Sequence, residues 1–142
     1  MRKRSNSKKT RFYMIGIFVK DLKSMVEFYR DIIGIEINWD GEGPYAEFDH
    51  EGIRFSMYLR EKLPELLGKK PTFPSEINGT FELAIDLPFF KDVDVEYKRV
   101  IKTGATPVYR PRNEPWGMRS SMIADPEGNL IEIGSWNKGA RK

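Results

Sequence analysis

Two kinds of apolar spacing alternate along the chain, and their order occurs twice. Residues 12–19, FYMIGIFV, are rich in β-branched and aromatic side chains and predict a strand. Asp21 then stands where a helix cap is wanted. In LKSMVEFYRDII the residues Leu22, Met25, Val26, Tyr29, Ile32 and Ile33 recur at helical spacing, and Gly34 supplies a left-handed C-terminal cap. A second strand is predicted at 35–39. The Gly/Pro stretch at 41–44 opens a third strand at 45–49, and the turn Asp49-His50-Glu51-Gly52 leads into a fourth at 53–59. The first half therefore reads βαβββ.

Residues 61–79 are polar and carry Pro64, Pro71 and Pro74, which predicts a linker with a short helical turn at 64–67. The order then starts again with the strand TFELAID at 80–86. Asp92 or Asp94 is expected to cap a helix with the apolar face Val93, Tyr97, Val100 and Ile101, closed by Gly104. A strand at 106–109, the loop RPRNEPWG, a strand at 118–124 and a turn into a last strand complete the half. DHEGIRFSM at 49–57 lies over DPEGNLIEI at 125–133, and FVKDL at 18–22 lies over AIDL at 84–87 with a one-residue difference. Self-similarity of whole supersecondary units fixes architecture and symmetry together. The expectation is a single α+β domain over 12–136, built from βαβββ modules at 12–60 and 80–136 that are related by a pseudo-twofold. Tails at 1–11 and 137–142 flank it.

Composition narrows the picture without redrawing it. A chain of 142 residues with 39% hydrophobic and 13% aromatic content can bury one ordinary core. No apolar run reaches the roughly 20 residues that cross a bilayer, and the N-terminus has no apolar stretch after its charges, so a cytoplasmic protein without membrane contact is expected. The absence of cysteine removes disulfides, thiolate metal sites and cysteine nucleophiles together. Of the net charge of +3, Arg2, Lys3, Arg4, Lys8, Lys9 and Arg11 account for more than the whole. They read as a solvated, disordered leader; nucleic-acid contact is the other reading, and no recognition motif follows to favour it.

The paired βαβββ units, with VKDLKSMVEFYRDIIGIEI in the first and ADPEGNLIEIGSW in the second, resemble the vicinal oxygen chelate superfamily, which includes glyoxalase I, extradiol dioxygenases and bleomycin-resistance proteins. The resemblance implies a mixed sheet curled around a cavity. It also implies a divalent metal held by His or Glu at one position on the first and last strand of each module. Those positions fall here on Met14, Ser56, Thr80 and Glu132, so Glu132 is the sole candidate metal ligand. An oxygen and nitrogen cage wants at least three protein donors. The single histidine, His50, sits in a turn away from these strands. No metal cofactor is expected, although a divalent metal is not excluded. The nearer comparison is with the bleomycin-resistance proteins, whose ligand lies in clefts formed by two chains, which implies a homodimer and a small organic ligand.

Strand alternation sorts residues by face. Ile15, Ile17, Val19, Ile53, Phe55, Met57, Phe81, Leu83, Ile85, Ile131 and Ile133 are expected to meet the helices. Met14, Arg54, Ser56, Tyr58, Thr80, Glu82 and Glu132 then face the cavity. Trp116, Trp136 and the arginines of the 110–119 loop, Arg119 among them, are candidates for stacking or for holding an anion. Glu132 has two readings: an anchor or general base for a ligand, or a carboxylate paired with Arg54 or Arg119 in a purely structural role. The leading expectation is a metal-free small-molecule binder with ligand-contacting residues Met14, Arg54, Ser56, Tyr58, Thr80, Glu82, Trp116, Arg119 and Glu132. The alternative is an enzyme resembling lactoylglutathione lyase, a dioxygenase or a metal-independent isomerase, with Glu132 as metal ligand or catalytic base.

Overall fold

The computed structural model describes residues 10–50 and 52–139. The expectations for the tail before residue 10, for the His50 side chain, for Glu51 and for 140–142 lie outside the described residues. Strand β1 (Met14–Val19) is followed by helix α1 (Leu22–Glu27), whose cap is Asp21: its carboxylate accepts the Ser24 N–H at 3.1 Å. The helix does not stay α to its end. From Phe28 to Ile33 it widens into a π-helical segment, in which Gly34, at φ 93°, donates its N–H back to Tyr29 O. Strands β2 (Tyr45–His50) and β3 (Ile53–Leu59) complete the first module.

The segment 35–39, expected as a strand, forms only an isolated bridge between Asn38 and Glu47. Ile35, Ile37 and Trp39 instead pack singly against the core. Short apolar runs satisfy either arrangement, and here side-chain burial wins over ladder formation.

Between the modules, a short turn leads into α2 (Leu63–Leu67), which begins with Pro64 in its first turn and ends at Gly68. The second module comprises β4 (Asn78–Asp86), α3 (Phe90–Lys102), β5 (Thr106–Asn113), β6 (Arg119–Ala124) and β7 (Asn129–Ser135). α3 starts earlier than Asp92 or Asp94 would set it. Asp92 lies inside the first turn, where its carboxylate accepts the Phe89 N–H at 2.9 Å. β5 runs on to Asn113, so Arg110 and Arg112 belong to a strand and not to a loop.

The strand orders are β1-β3-β2 and β4-β7-β6-β5, with the first pair parallel and the rest antiparallel in each sheet. The repeat read from the chain is thus an architectural repeat, with the bridge at Asn38 standing where β5 stands in the second module. The two sheets share no strand pairing among the described residues. One continuous core joins them: Ile17, Val19, Phe55 and Met57 from the first, Ile131, Ile133 and Ile123 from the second, with Met25, Val26 and Val100 of the helices. Ile15 departs from its expected place and is 37% exposed, and Ile53 is only half-buried. Both sit near the starts of their strands.

A polar joint also binds the modules. The Asp125 carboxylate, 2% exposed, accepts Tyr29 Oη at 2.8 Å, the N–H groups of Glu127 and Asn129 at 2.9 and 3.0 Å, and Asn129 Nδ2 at 2.9 Å. Burial, and then the negative charge of Asp125, hold the Tyr29 hydroxyl well above its ordinary pKa, so it stays a donor. Two residues on, Glu127 accepts the backbone N–H groups of Lys20 and Asp21 at 2.7 and 2.8 Å. Gly128, at φ 86°, lets the linker lie against this turn: a Cβ there would stand 2.3 Å from Glu76 O.

Two substitutions test this joint. Tyr29→Phe is expected to lower the unfolding free energy by about 1–3 kcal/mol, the range for a hydrogen bond to a buried charged group, measured by urea denaturation. Gly128→Ala is expected to destabilise more than Gly52→Ala. Both glycines have φ 86°, but Gly52 meets nothing within 4 Å among the described residues, so the excess reports the linker contact. Faster tryptic cleavage after Lys69 in Gly128→Ala would confirm that the linker has lifted.

Candidate functional site

Glu132 is placed by its neighbours. Ile131 and Ile133, 1% and 0% exposed, turn toward α3 and the core, so the period of the strand directs Glu132 to the opposite face. There it is flanked by Ala84 of β4 and Met122 of β6. It is half-buried at a hollow of about 260 Å³ lined by Ala84, Asp86, Met118, Gly134 and Trp136. Gly134 keeps the hollow open: a Cβ would stand 2.6 Å from Met118 Cε and 3.8 Å from the Glu132 carboxylate.

Among the described residues Glu132 makes no hydrogen bond or ion pair. Its pKa is raised above the ordinary glutamate value, first by burial and then by the charges of Glu82 and Glu114. Glu114 is differently held. Its side chain is 6% exposed, takes a hydrogen bond from the Arg112 guanidinium and another from Ser120 Oγ at 3.0 Å, and is pulled below the ordinary value chiefly by Arg112. Tyr109 Oη meets the same serine at 3.0 Å, and the Arg112 guanidinium lies 3.9 Å from the centre of the Tyr109 ring. A structured lattice on β5 and β6 thus fixes one carboxylate as an anion beside a second that is free of partners.

The corresponding face of the first sheet is balanced. Ser56, 4% exposed, stands between Gly16 and Glu47. Glu47 accepts Tyr45 Oη at 2.8 Å and pairs with Arg54, and these two, the tyrosine foremost, lower its pKa. Tyr58 lies opposite Tyr45, ring centres 6.5 Å apart, and Phe18 beside them is 47% exposed. Met14 is half-buried at the start of β1.

Several expected site residues are therefore brought together and others are not. Glu82 and Glu132 share a face of the second sheet, while Arg54, Ser56 and Tyr58 share a face of the first. Thr80 is exposed near the start of β4. Trp136 lines the hollow, but Trp116, 60% exposed on the β5–β6 turn, does not. Arg119 is a correction. It lies on the helix side of β6 and donates to both oxygens of Asp94 on α3 at 2.6 and 2.7 Å, and to Asn113 at 2.9 Å. One step along a strand reverses the face. Neither Arg54, paired with Glu47, nor Arg119 serves as a partner for Glu132. Asp86 and Glu47 escaped the sequence reading although the alternation of β4 and β2 points to both; the part played by Glu114 depends on the hairpin geometry, and no local pattern announces it.

The donor set does not fit a divalent metal. Of Met14, Ser56, Thr80 and Glu132, only the last offers a carboxylate, and among the described residues no group of three or more His, Asp or Glu side chains is arranged to hold an ion. No helix of the described residues is long and apolar enough to cross a membrane.

Comparison with known proteins agrees with this architecture. Residues 11–133 match the family model described as the Glyoxalase/Bleomycin resistance protein/Dioxygenase superfamily. The chain is 33% identical over 122 residues to the uncharacterized protein YraH of Bacillus subtilis, covering 84% of this chain and 93% of that one. Among solved structures it is similar to a glyoxalase/bleomycin resistance protein/dioxygenase from Nocardioides, with a TM-score of 0.78 and 22% identity over 94% of this chain and 88% of that one. It is also similar to a lactoylglutathione lyase from Agrobacterium tumefaciens, with a TM-score of 0.69 and 19% identity over 89% and 94% of the two chains. These structural likenesses carry the α+β glyoxalase-like fold, and the family model carries membership: the chain belongs to the Glyoxalase/Bleomycin resistance protein/Dioxygenase superfamily.

Proposed function

We propose that the protein binds a small organic molecule bearing a positive charge, without a catalytic metal, on the Glu132 face of the β4-β7-β6-β5 sheet. The observation that carries this reading is the Glu132 carboxylate itself: half-buried, without a partner, and directed into a hollow walled by Asp86 and Trp136. Glu82 and Glu114 add negative charge to the same face, and the arginine that could have neutralised it is drawn away to Asp94. A cationic group would relieve the repulsion among the carboxylates and stack on an indole.

The hollow, at about 260 Å³, is smaller than the several hundred Å³ usual for a small-molecule pocket, and it forms one wall of such a pocket. A second copy of the chain supplies the other wall in this reading, making the protein a homodimer with a curled sheet closed around each ligand. The aromatic face of the first sheet, with Phe18 and Tyr45 exposed and Tyr58 half-buried between them, has the apolar character such a wall needs. A second reading, metal-independent isomerisation with Glu132 as general base, is favoured by the raised pKa, which brings the group closer to the range where a base works near neutral pH.

Titration with a panel of organic amines beside neutral and carboxylate analogues separates these readings. Binding of the amines, weakened about ten-fold or more by Glu132→Gln, is expected for an anchor; turnover lost with affinity retained would identify a base. Preference for the anionic analogues would refute the cation reading. Affinity for amines should also fall on acidification through the raised pKa of Glu132, as the carboxylate gains its proton.

The same shift predicts a stability effect. Because the folded-state pKa lies above the unfolded one, ionising Glu132 opposes folding. That cost is absent below the ordinary carboxylate range, and it grows until pH exceeds the folded pKa. Glu132→Gln is therefore expected to raise the melting temperature at neutral pH, with the gain disappearing in acid, as followed by differential scanning calorimetry.

A further inference from the structure

We infer that the groove between α3 and β5, which shares no residue with the Glu132 hollow, binds an organic anion with an aromatic body. The groove encloses about 770 Å³. Its apolar lining comes from Tyr97 and Ile101 of the helix, both half-buried, and from Val108 of the strand, which is 40% exposed. Three cations stand along it: Lys98 and Lys102, one helical turn apart on α3, and Arg110 on β5. None of the three makes a hydrogen bond or an ion pair among the described residues. The one carboxylate on the lining, Asp94, is already engaged through both oxygens by Arg119, which also lowers its pKa.

Two independent contributions then act on the same ligand. The apolar lining favours a flat hydrocarbon surface in proportion to the area it covers. The cations favour negative charge, more strongly than scattered surface lysines would, because the local acid is neutralised from the other side. A neutral aromatic receives only the first contribution and an inorganic anion only the second. An aromatic sulfonate, carboxylate or phosphate receives both. The groove is also closed to an added strand: Pro107 and Pro111 bracket this stretch of β5 and remove two amide donors from its edge. The ligand class is accordingly a small molecule and not an extended peptide. This inference stands apart from the reading of Glu132, which concerns the opposite face of the sheet and the opposite charge.

The test uses the full chain with anilinonaphthalene sulfonate as the aromatic anion, sulfate as the anion alone and naphthol as the neutral aromatic, followed by fluorescence for the dye and by calorimetric titration for the others. Saturable dye binding that weakens with salt, with the other two binding at least about ten-fold more weakly, is the expected result. The double substitution Lys102→Glu with Arg110→Glu should weaken dye binding about ten-fold, and Glu132→Gln should leave it within about two-fold. If the double variant melts at a lower temperature than the parent, Lys98→Gln and Lys102→Gln made singly should each weaken the dye about three-fold, as loss of one charge contact requires. The proposal is overturned by absence of saturable binding, by equal binding of naphthol and the dye, by an unchanged affinity in the charge-altered variants, or by loss of dye binding in Glu132→Gln.

Discussion

A buried carboxylate that has found four donors holds the two halves of this molecule in one body. Asp125 would be costly to bury alone, and its environment repays that cost with the hydroxyl of Tyr29, two backbone N–H groups of its own turn and the amide of Asn129. Three of these contacts are local and shape the β6–β7 turn. The fourth comes from the helical segment of the other module. Because the two sheets share no strand pairing among the described residues, this contact, the Glu127 carboxylate that receives the N–H groups of Lys20 and Asp21 and faces Arg60, and the Arg99 guanidinium that donates to Ile32 O at 2.7 Å add direction to an otherwise non-directional apolar interface.

The candidate site inherits its geometry from that joint. Asn129, locked to Asp125, is the first residue of β7, and from it the two-residue period of the strand fixes every side chain to its end. Ile131 and Ile133 must enter the shared core, so Glu132 has no choice of face. What makes the carboxylate chemically distinctive is then an omission. The guanidinium that could have paired with it starts one residue out of phase on β6 and is captured by Asp94, while that of Arg112 on β5 is captured by Glu114. Glu132 is left as the unpaired member of a negative surface.

How far the chain itself discloses this arrangement depends on the range over which each feature is decided. The helix cap at Asp21, the glycine at Gly34, the turn DPEGN and the alternation through LIEI are set within a few residues, and all could be read directly. The duplicated order of elements was equally plain, since equal spacing of the same element types leaves few arrangements. The segment 35–39 misled because its apolar residues serve a packed coil as well as a strand, and the choice belongs to what surrounds them. The π-helical widening after Glu27 leaves no mark in the spacing of Tyr29, Ile32 and Ile33. Arg119 reads as part of the loop at 110–119, although the regular alternation of β6 already sets its face; the part of Glu114 depends instead on how β5 and β6 register across the bulges on either side of Tyr109, and a hairpin register is settled between strands and not within either.

The prolines of β5 have one more consequence, for behaviour at high concentration. Among the described residues both sheets end in edge strands, and an open edge invites the backbone of another molecule. On the second sheet the outer edge is interrupted at Pro107 and Pro111, where no amide is available to a newcomer. On the first sheet the β2 edge is bridged at Asn38, whereas β1 and β4 contain no proline and carry exposed or half-exposed apolar side chains. Aggregation of this protein, where it occurs, should thus begin at those two strands and leave β5 as the side from which a growing assembly is shielded.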